Sequence, residues 1–182
     1  MAMPSTSYFT ADDVRALPDD GQRYETVHGE LLVTPAPGVS HQQVLARLFR
    51  VLDAYLTANG LEQLCWSPAD ISFGDATLVQ PDLFVTELGP LTQSRKWSDI
   101  RELHLVIEVL SRTSVRADRV TKRRLYQEQR IPTYWVVDID QQQVEVWTPD
   151  ASFPVIERER LVWRHPALAT DCVVELGRLF AA

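Results

Sequence analysis

Cysteine is nearly missing from this chain: Cys65 and Cys172 are the two in 182 residues, and each stands alone in apolar sequence. Neither a disulfide framework nor a cysteine-rich zinc site can be built from them, so two buried, reduced thiols are expected. Long apolar runs are missing as well. No stretch approaches membrane-spanning length, and Met1 to Thr10 has neither the basic start nor the continuous apolar segment of a signal peptide. The expectation is a cytoplasmic protein with no membrane partner. There is also no P-loop, no Gly-x-Gly-x-x-Gly turn, no Gly-x-Ser-x-Gly elbow and no His-Glu-x-x-His helix, which sets aside dinucleotide, serine-hydrolase and zinc-protease chemistry.

Positive charge is scarce overall, 18 Lys and Arg against 25 Asp and Glu, for a formal net charge of -7. A protein that grips nucleic acid over its whole surface needs the opposite balance. The distribution is uneven, however. Between Arg112 and Arg130 seven basic residues (Arg112, Arg116, Arg119, Lys122, Arg123, Arg124 and Arg130) meet only Asp118 and Glu128, a local excess of +5 on a remainder of -12. Such a strip marks either a phosphate-facing surface or a solvated helix face.

With 45% apolar residues the chain can bury one proper core, so residues 1–182 are read as a single domain. Thr10 opens a short capped helix that ends at Pro18, and Arg23–Val27 and Glu30–Thr34 form a hairpin around His28-Gly29. Ser40 with Gln43 reads as a capping box for a long helix bearing Val44, Leu45, Leu48, Val51, Leu52, Tyr55 and Leu56 on one face, stopped by Asn59-Gly60. Two β segments, Gln63–Phe73 and Leu78–Thr86, follow, with Pro81 calling for an edge position or a bulge. Residues Glu87–Glu102 lack periodicity and read as a loop. Leu103–Leu110 is a central strand, the basic segment a helix to about Gln129, and Thr133–Asp138 a second buried strand. That strand-helix-strand unit predicts a parallel pair, and Val144–Thr148 reads as a hairpin partner of the second strand. The tail adds strands near Leu161-Val162-Trp163 and Cys172-Val173-Val174 and a last helical turn at Leu176, Leu179 and Phe180.

One residue breaks the apolar strand Leu-His-Leu-Val-Ile-Glu-Val-Leu: Glu108. A carboxylate buried there needs a positive partner, and a metal ion is one natural answer. Asp82, at the start of the preceding strand, could share a hard cation with it, and oxygen ligands of this kind suit Mg²⁺ or Mn²⁺. The competing reading has Asp82 capping the turn after Pro81 and Glu108 paired with an arginine.

The ordered series His28-Gly29-Glu30-Leu31-Leu32, Gln80-Pro81-Asp82, Val106-Ile107-Glu108-Val109-Leu110-Ser111, then Asp118, Lys122 and Tyr126 at helical spacing, and Tyr134-Trp135-Val136-Val137-Asp138, resembles the putative restriction endonuclease family within the PD-(D/E)XK nuclease superfamily. The resemblance runs from about Thr10 to Phe180. It implies a restriction-endonuclease-like α/β fold, a mixed central sheet flanked by helices, here with an extra N-terminal hairpin and C-terminal strands. It further implies a divalent-metal-dependent endonuclease cutting phosphodiester bonds in DNA, with Asp82 and Glu108 as metal ligands and the Val109 carbonyl completing the shell.

The superfamily's usual lysine, two positions after the glutamate, is Leu110 in this chain. The resemblance offers Lys122 as a replacement reaching back from the following helix, against the simpler reading of an i,i+4 pair with Asp118. Glu30 matches an acidic position of the early hairpin motif and is a second-tier metal or water contact, or else a solvent-facing side chain. His41, Arg116, Arg119 and Arg123 are candidate phosphate contacts, His41 being equally at home as a surface residue of a helix start. Tyr126 and Asp138 read as structural. Nucleases of this architecture often act as homodimers, and the missing lysine leaves open a non-cleaving protein that keeps the fold to bind nucleic acid or a protein partner.

Overall fold

A computed structural model describes residues 7–61, 63–87, 96–97, 100 and 102–181. Among the described residues three sheets combine with one long helix and several short ones in mixed α/β order, and no helix is long and apolar enough to cross a membrane. The N-terminal helix α1 (Ala11–Arg15) is fixed by a reciprocal capping box between Thr10 and Asp13. Strands β1 (Arg23–Val27) and β2 (Glu30–Thr34) pair antiparallel in full register through His28 and Gly29. Both turn residues have positive φ, 51° and 84°, the requirement of a tight primed hairpin turn. The ring of Tyr8 lies against Gly29 where any side chain would stand, which adds a second reason for glycine there.

The long helix α2 (Val39–Ala58) buries Val44, Leu48, Leu52 and Leu56 along one stripe. Full burial of each such leucine is worth roughly 1.5–3 kcal/mol. Its cap is not the expected Ser40 and Gln43 box: Gly38 stands at the N-cap and no side chain bonds the first turn. The helix starts one residue before Ser40. A serine inside the first turn no longer has its oxygen in front of the free amides.

The chain after α2 departs most from expectation. Gln63–Phe73 is two strands, β3 (Leu64–Trp66) and β4 (Ile71–Ser72), and Leu78–Thr86 is also two, β5 (Leu78–Val79) and β6 (Leu83–Thr86). β4 and β5 join the hairpin in a four-stranded antiparallel sheet ordered β2-β1-β5-β4, whereas β3 and β6 belong to the main sheet. The chain crosses between sheets at Gln80-Pro81-Asp82, where proline cannot donate to a ladder. Of the expected loop 87–102, residues 88–95, 98–99 and 101 lie outside the described set.

The main sheet is completed by β7 (Leu103–Val109), β8 (Tyr134–Asp138), β9 (Gln143–Trp147) and β10 (Val155–Glu157), in the order β10-β9-β8-β7-β6-β3. Among the described residues only β7 and β8 run parallel, joined by the expected helical crossover; β6 pairs antiparallel with β7, Leu83 opposite Ile107. The crossover opens as a π-helical segment, Ala117–Lys122, and continues as α3 (Arg123–Glu128). β11 (Arg160–Trp163), β12 (Cys172–Glu175) and α4 (Leu176–Leu179) close the chain.

Two cores result. Leu105, Ile107 and Val109 face α2, β11, β12 and α4, and Val106 and Leu110 face α3 and the four-stranded sheet. By the two-residue alternation of a strand, Glu108 points into the second layer, between α3 and the hairpin.

Candidate active site: a buried carboxylate cluster

Four acidic side chains gather in that layer, Glu25, Asp82, Glu108 and Asp118, each at most 2% exposed. Asp82 follows the inter-sheet crossing and is held from three directions. Arg23 Nη2 donates to Oδ1 at 2.8 Å, while His41 Nε2 at 3.0 Å and the Val109 backbone N–H at 2.9 Å meet Oδ2. Burial by itself raises the pKa of this carboxyl, but the His41 hydrogen bond, Arg23 and the Val109 amide outweigh it and bring it down to about 2.

Glu108 has the opposite balance. Its Oε1 accepts from Lys122 Nζ at 3.0 Å and from the Tyr126 hydroxyl at 3.2 Å. Burial is the largest influence and, with Asp82, Asp118 and Glu25 crowding it, holds the Glu108 pKa well above the usual carboxylate value despite Lys122. Asp118 is raised for the same reason, chiefly burial. Burial would strip Lys122 of its proton, yet Glu108, Glu25 and Asp118 together keep its pKa well above that of an ordinary lysine. Lys122 is a fixed cation.

The Lys122 ammonium lies 2.8 Å from Glu25 Oε2, 3.0 Å from Glu108 Oε1 and 3.5 Å from Asp118 Oδ1, so the i,i+4 pair is the longest of its three contacts. The π-helical turn that carries both Asp118 and Lys122 puts them on the buried side of the crossover. The arginine expected beside Glu108 is instead Arg23, on Asp82, and the cation beside Glu108 is Lys122.

The sequence reading missed Glu25. Its Oε1 accepts the Gln80 amide at 2.7 Å, and Oε2, although close to Lys122, receives no donor along a hydrogen-bonding direction. Asp118 Oδ1 is likewise buried without a donor. The signal was present in the pattern: Glu25 shares its strand face with buried Val27, a charge at a core position like Glu108. Glu30 does not join the cluster. It is exposed beside the turn, whereas Thr34, four residues along the same strand and about 13 Å away at strand rise, reaches the site.

The cluster opens on a cavity of about 20 Å³, enough for a water molecule, bordered by Asp82, Glu108, Val109, Asp118, Lys122 and Arg23. A groove of about 740 Å³ adjoins it and shares His41 and Ser111, running past Gly38–His41, Leu110–Arg112, Val115 and Asp138–Gln141. His41 is committed to Asp82, and its Nδ1 is buried without a partner.

Of the expected phosphate contacts, Arg119 borders the groove, but its guanidinium is fixed by Asp138 and Glu145, both at 2.6 Å. Arg123 binds the Arg119 carbonyl and Gln127 and lies over the Trp147 ring at 4.8 Å. Both arginines fasten the crossover helix to β8 and β9. Arg116 is exposed, as is Arg112 at the groove edge, a residue the sequence reading did not single out.

The donor set suits a hard divalent cation. Among the described residues of the cluster four buried carboxylates stand against two cations, Arg23 and Lys122, and Asp118 Oδ1 is a buried carboxylate oxygen with no hydrogen-bond donor. A divalent charge would balance all four in their ionised forms, which burial disfavours at Glu108 and Asp118 in its absence. Among the described residues no three His, Cys, Asp or Glu side chains are already converged on one point, because Arg23 and Lys122 stand between the acids.

The mixed sheet with its parallel β7-β8 crossover, and acids at the mouth of the β6-β7 pair, define the restriction-endonuclease-like class of α/β folds. Within it, this chain belongs to the Uma2 family, described as "Putative restriction endonuclease", whose profile matches residues 11–172. A crystal structure described as a "putative nuclease belonging to DUF820", from Anabaena variabilis, is similar at TM-score 0.72 and 21% identity, over 95% of this chain and 98% of that one. At that identity the likeness establishes the fold. No curated protein matches.

Proposed function

We propose that this protein is a divalent-metal-dependent endonuclease that hydrolyses phosphodiester bonds in DNA. The observation that carries the reading is the composition of the cluster: four buried carboxylates against two cations, with Asp82, Glu108 and Asp118 bordering a small opening. Its family and fold agree with a nuclease.

Asp82 and Glu108, with the Val109 carbonyl, would hold Mg²⁺ or Mn²⁺. When bound, such an ion would supply Lewis acidity toward the phosphate and toward a water at the site. The protein's own residues do the rest. Arg23, His41 and the Val109 amide keep Asp82 ionised and aimed at the cavity. Lys122, being permanently protonated, is no base; it positions water and stabilises negative charge developing on the phosphoryl oxygens. The groove beside His41, with exposed Arg112 at its edge, takes the strand that carries the phosphate. Two copies of the chain, one site for each strand, would cut a duplex.

A second reading has its own observation. Arg23 and Lys122 already occupy oxygens of Asp82 and Glu108, an arrangement in which the site binds nucleic acid or a protein partner without cutting. Calorimetric titration of Mn²⁺ and Mg²⁺ into the wild type and into Asp82→Ala with Glu108→Ala, run beside a plasmid-nicking assay, separates the two. Binding and nicking that both vanish in the double variant support the nuclease, and absence of metal binding by the wild type leaves the non-cleaving reading.

A further inference from the structure

Trp66 is the most exposed of the five tryptophans, at 56%, although Cys65 beside it on β3 is buried. β3 lies at one edge of the main sheet, and Trp66 pairs with Leu83, the residue that follows Asp82. The next amide, that of Ser67, donates to the Asp82 carbonyl at 3.3 Å, which ties the Trp66 backbone to that of the candidate metal ligand. Phe49 of α2 meets the indole at 5.0 Å and 89°, an edge-on contact. Such a contact covers at most one face of the ring.

Beside it lies a groove of about 410 Å³ floored by Leu45, Phe49, Trp66 and Leu83, with Gln42 and Arg50 on its rim. That volume is in the range of sites for small planar ligands, roughly 300–1,000 Å³. Gln42 follows His41, the Asp82 partner, and Leu83 follows Asp82, so the groove neighbours the cluster along α2 and β6 but lies on the α2-facing side of the sheet, across its edge from the carboxylates.

We infer that this groove is a base-stacking subsite, in which Trp66 takes up an unpaired nucleobase of the nucleic-acid strand that enters the active site. The inference deepens the nuclease reading and rests on it. An exposed aromatic face next to an apolar floor with an exposed arginine, Arg50, on its rim matches the chemistry of single-strand binding, where bases stack on aromatics and cations follow the backbone. A second copy of the chain is the less suitable occupant, because a three-residue edge strand offers little ladder to extend.

The test uses the full chain with Ca²⁺ in place of Mg²⁺ to hold back cleavage, and fluorescence anisotropy of a labelled single-stranded oligonucleotide as the readout. Trp66→Ala should weaken binding about tenfold, the typical loss of one stacked base, and Trp66→Phe should restore most of it. An abasic residue scanned along the oligonucleotide should weaken the wild type at one position and leave Trp66→Ala indifferent there. Equal affinity of wild type and Trp66→Ala, or the same abasic penalty in both, would overturn the subsite.

Nicking in Mg²⁺ and sedimentation of the same proteins separate the remaining outcomes. Wild type that nicks while Trp66 proves irrelevant to binding defeats the subsite and leaves the nuclease. Trp66-dependent binding with no nicking keeps the subsite as a nucleic-acid site and defeats the nuclease. A dimer that Trp66→Ala converts to monomer, with oligonucleotide affinity unchanged, assigns the groove to a second copy and overturns the inference.

Discussion

Glu108 should make the metal-free protein less stable as pH rises, and this is the most direct check on the charge imbalance. Its folded pKa lies above the ordinary value of 4.5, because burial, Asp82, Asp118 and Glu25 oppose its ionisation more than Lys122 favours it. A carboxyl raised in the fold binds its proton more tightly there than in the unfolded chain. Its contribution is therefore full below pH 4.5 and is lost as pH rises from 4.5 toward the folded value. While the native state alone holds that proton, the slope approaches about 1.4 kcal/mol per pH unit. Glu108→Gln imitates the protonated side chain and removes this slope. The assay is urea unfolding of both proteins in EDTA between pH 5 and 8. The difference between them cancels groups they share, and it should move in favour of the glutamine variant as pH increases. Adding Mn²⁺ should then stabilise the wild type, by about 2.7 kcal/mol at a hundred times the dissociation constant, and leave Glu108→Gln nearly unmoved. A pH-independent difference, or one that grows toward acid, would refute the account of the site as an unbalanced carboxylate cluster.

Lys122→Met leaves Glu25, Glu108 and Asp118 without their shared cation; it should cost about 3–5 kcal/mol at pH 7 and less at pH 5, where Glu108 and Asp118, raised by burial, take up protons, and equal losses at both pH values would contradict this. Arg119→Ala should lower stability by about 1.5–3 kcal/mol through its lost bonds to Asp138 and Glu145, with Mn²⁺ affinity unchanged by calorimetry. His165 accepts the Ala167 amide at Nδ1 and meets Gln63 at Nε2, and burial, then His104, lowers its pKa from 6.5. Its stabilising contribution is present above pH 6.5 and lost as pH falls through the folded value, so His165→Gln should flatten the acid limb of the denaturation profile, and NMR titration of the His165 ring gives the direct readout.

The sequence by itself determined the elements whose residues carry an unambiguous period. The hairpin around His28-Gly29, the apolar stripe of α2, the buried strands β7 and β8 and their parallel crossover all follow from local chemistry and short-range pattern. It also marked Asp82 and Glu108, since a carboxylate amid buried apolar neighbours shows in the sequence alone. What it could not supply is everything that depends on which distant residues share a layer. Pro81 read as a local disturbance, but only the packing of two sheets makes it the point where the chain passes from one to the other and presents Asp82. Glu25 lies 83 positions from Glu108 in the chain, and Lys122 selects among three acids by distance in space. The same holds for Arg119 and Arg123, whose basic strip looks the same in sequence whether it faces phosphate or grips β8 and β9. Ion-pair choice is a long-range decision because opposite charges attract in every pairing, and only the packed core, by fixing which side chains reach one another without water between them, settles the partners.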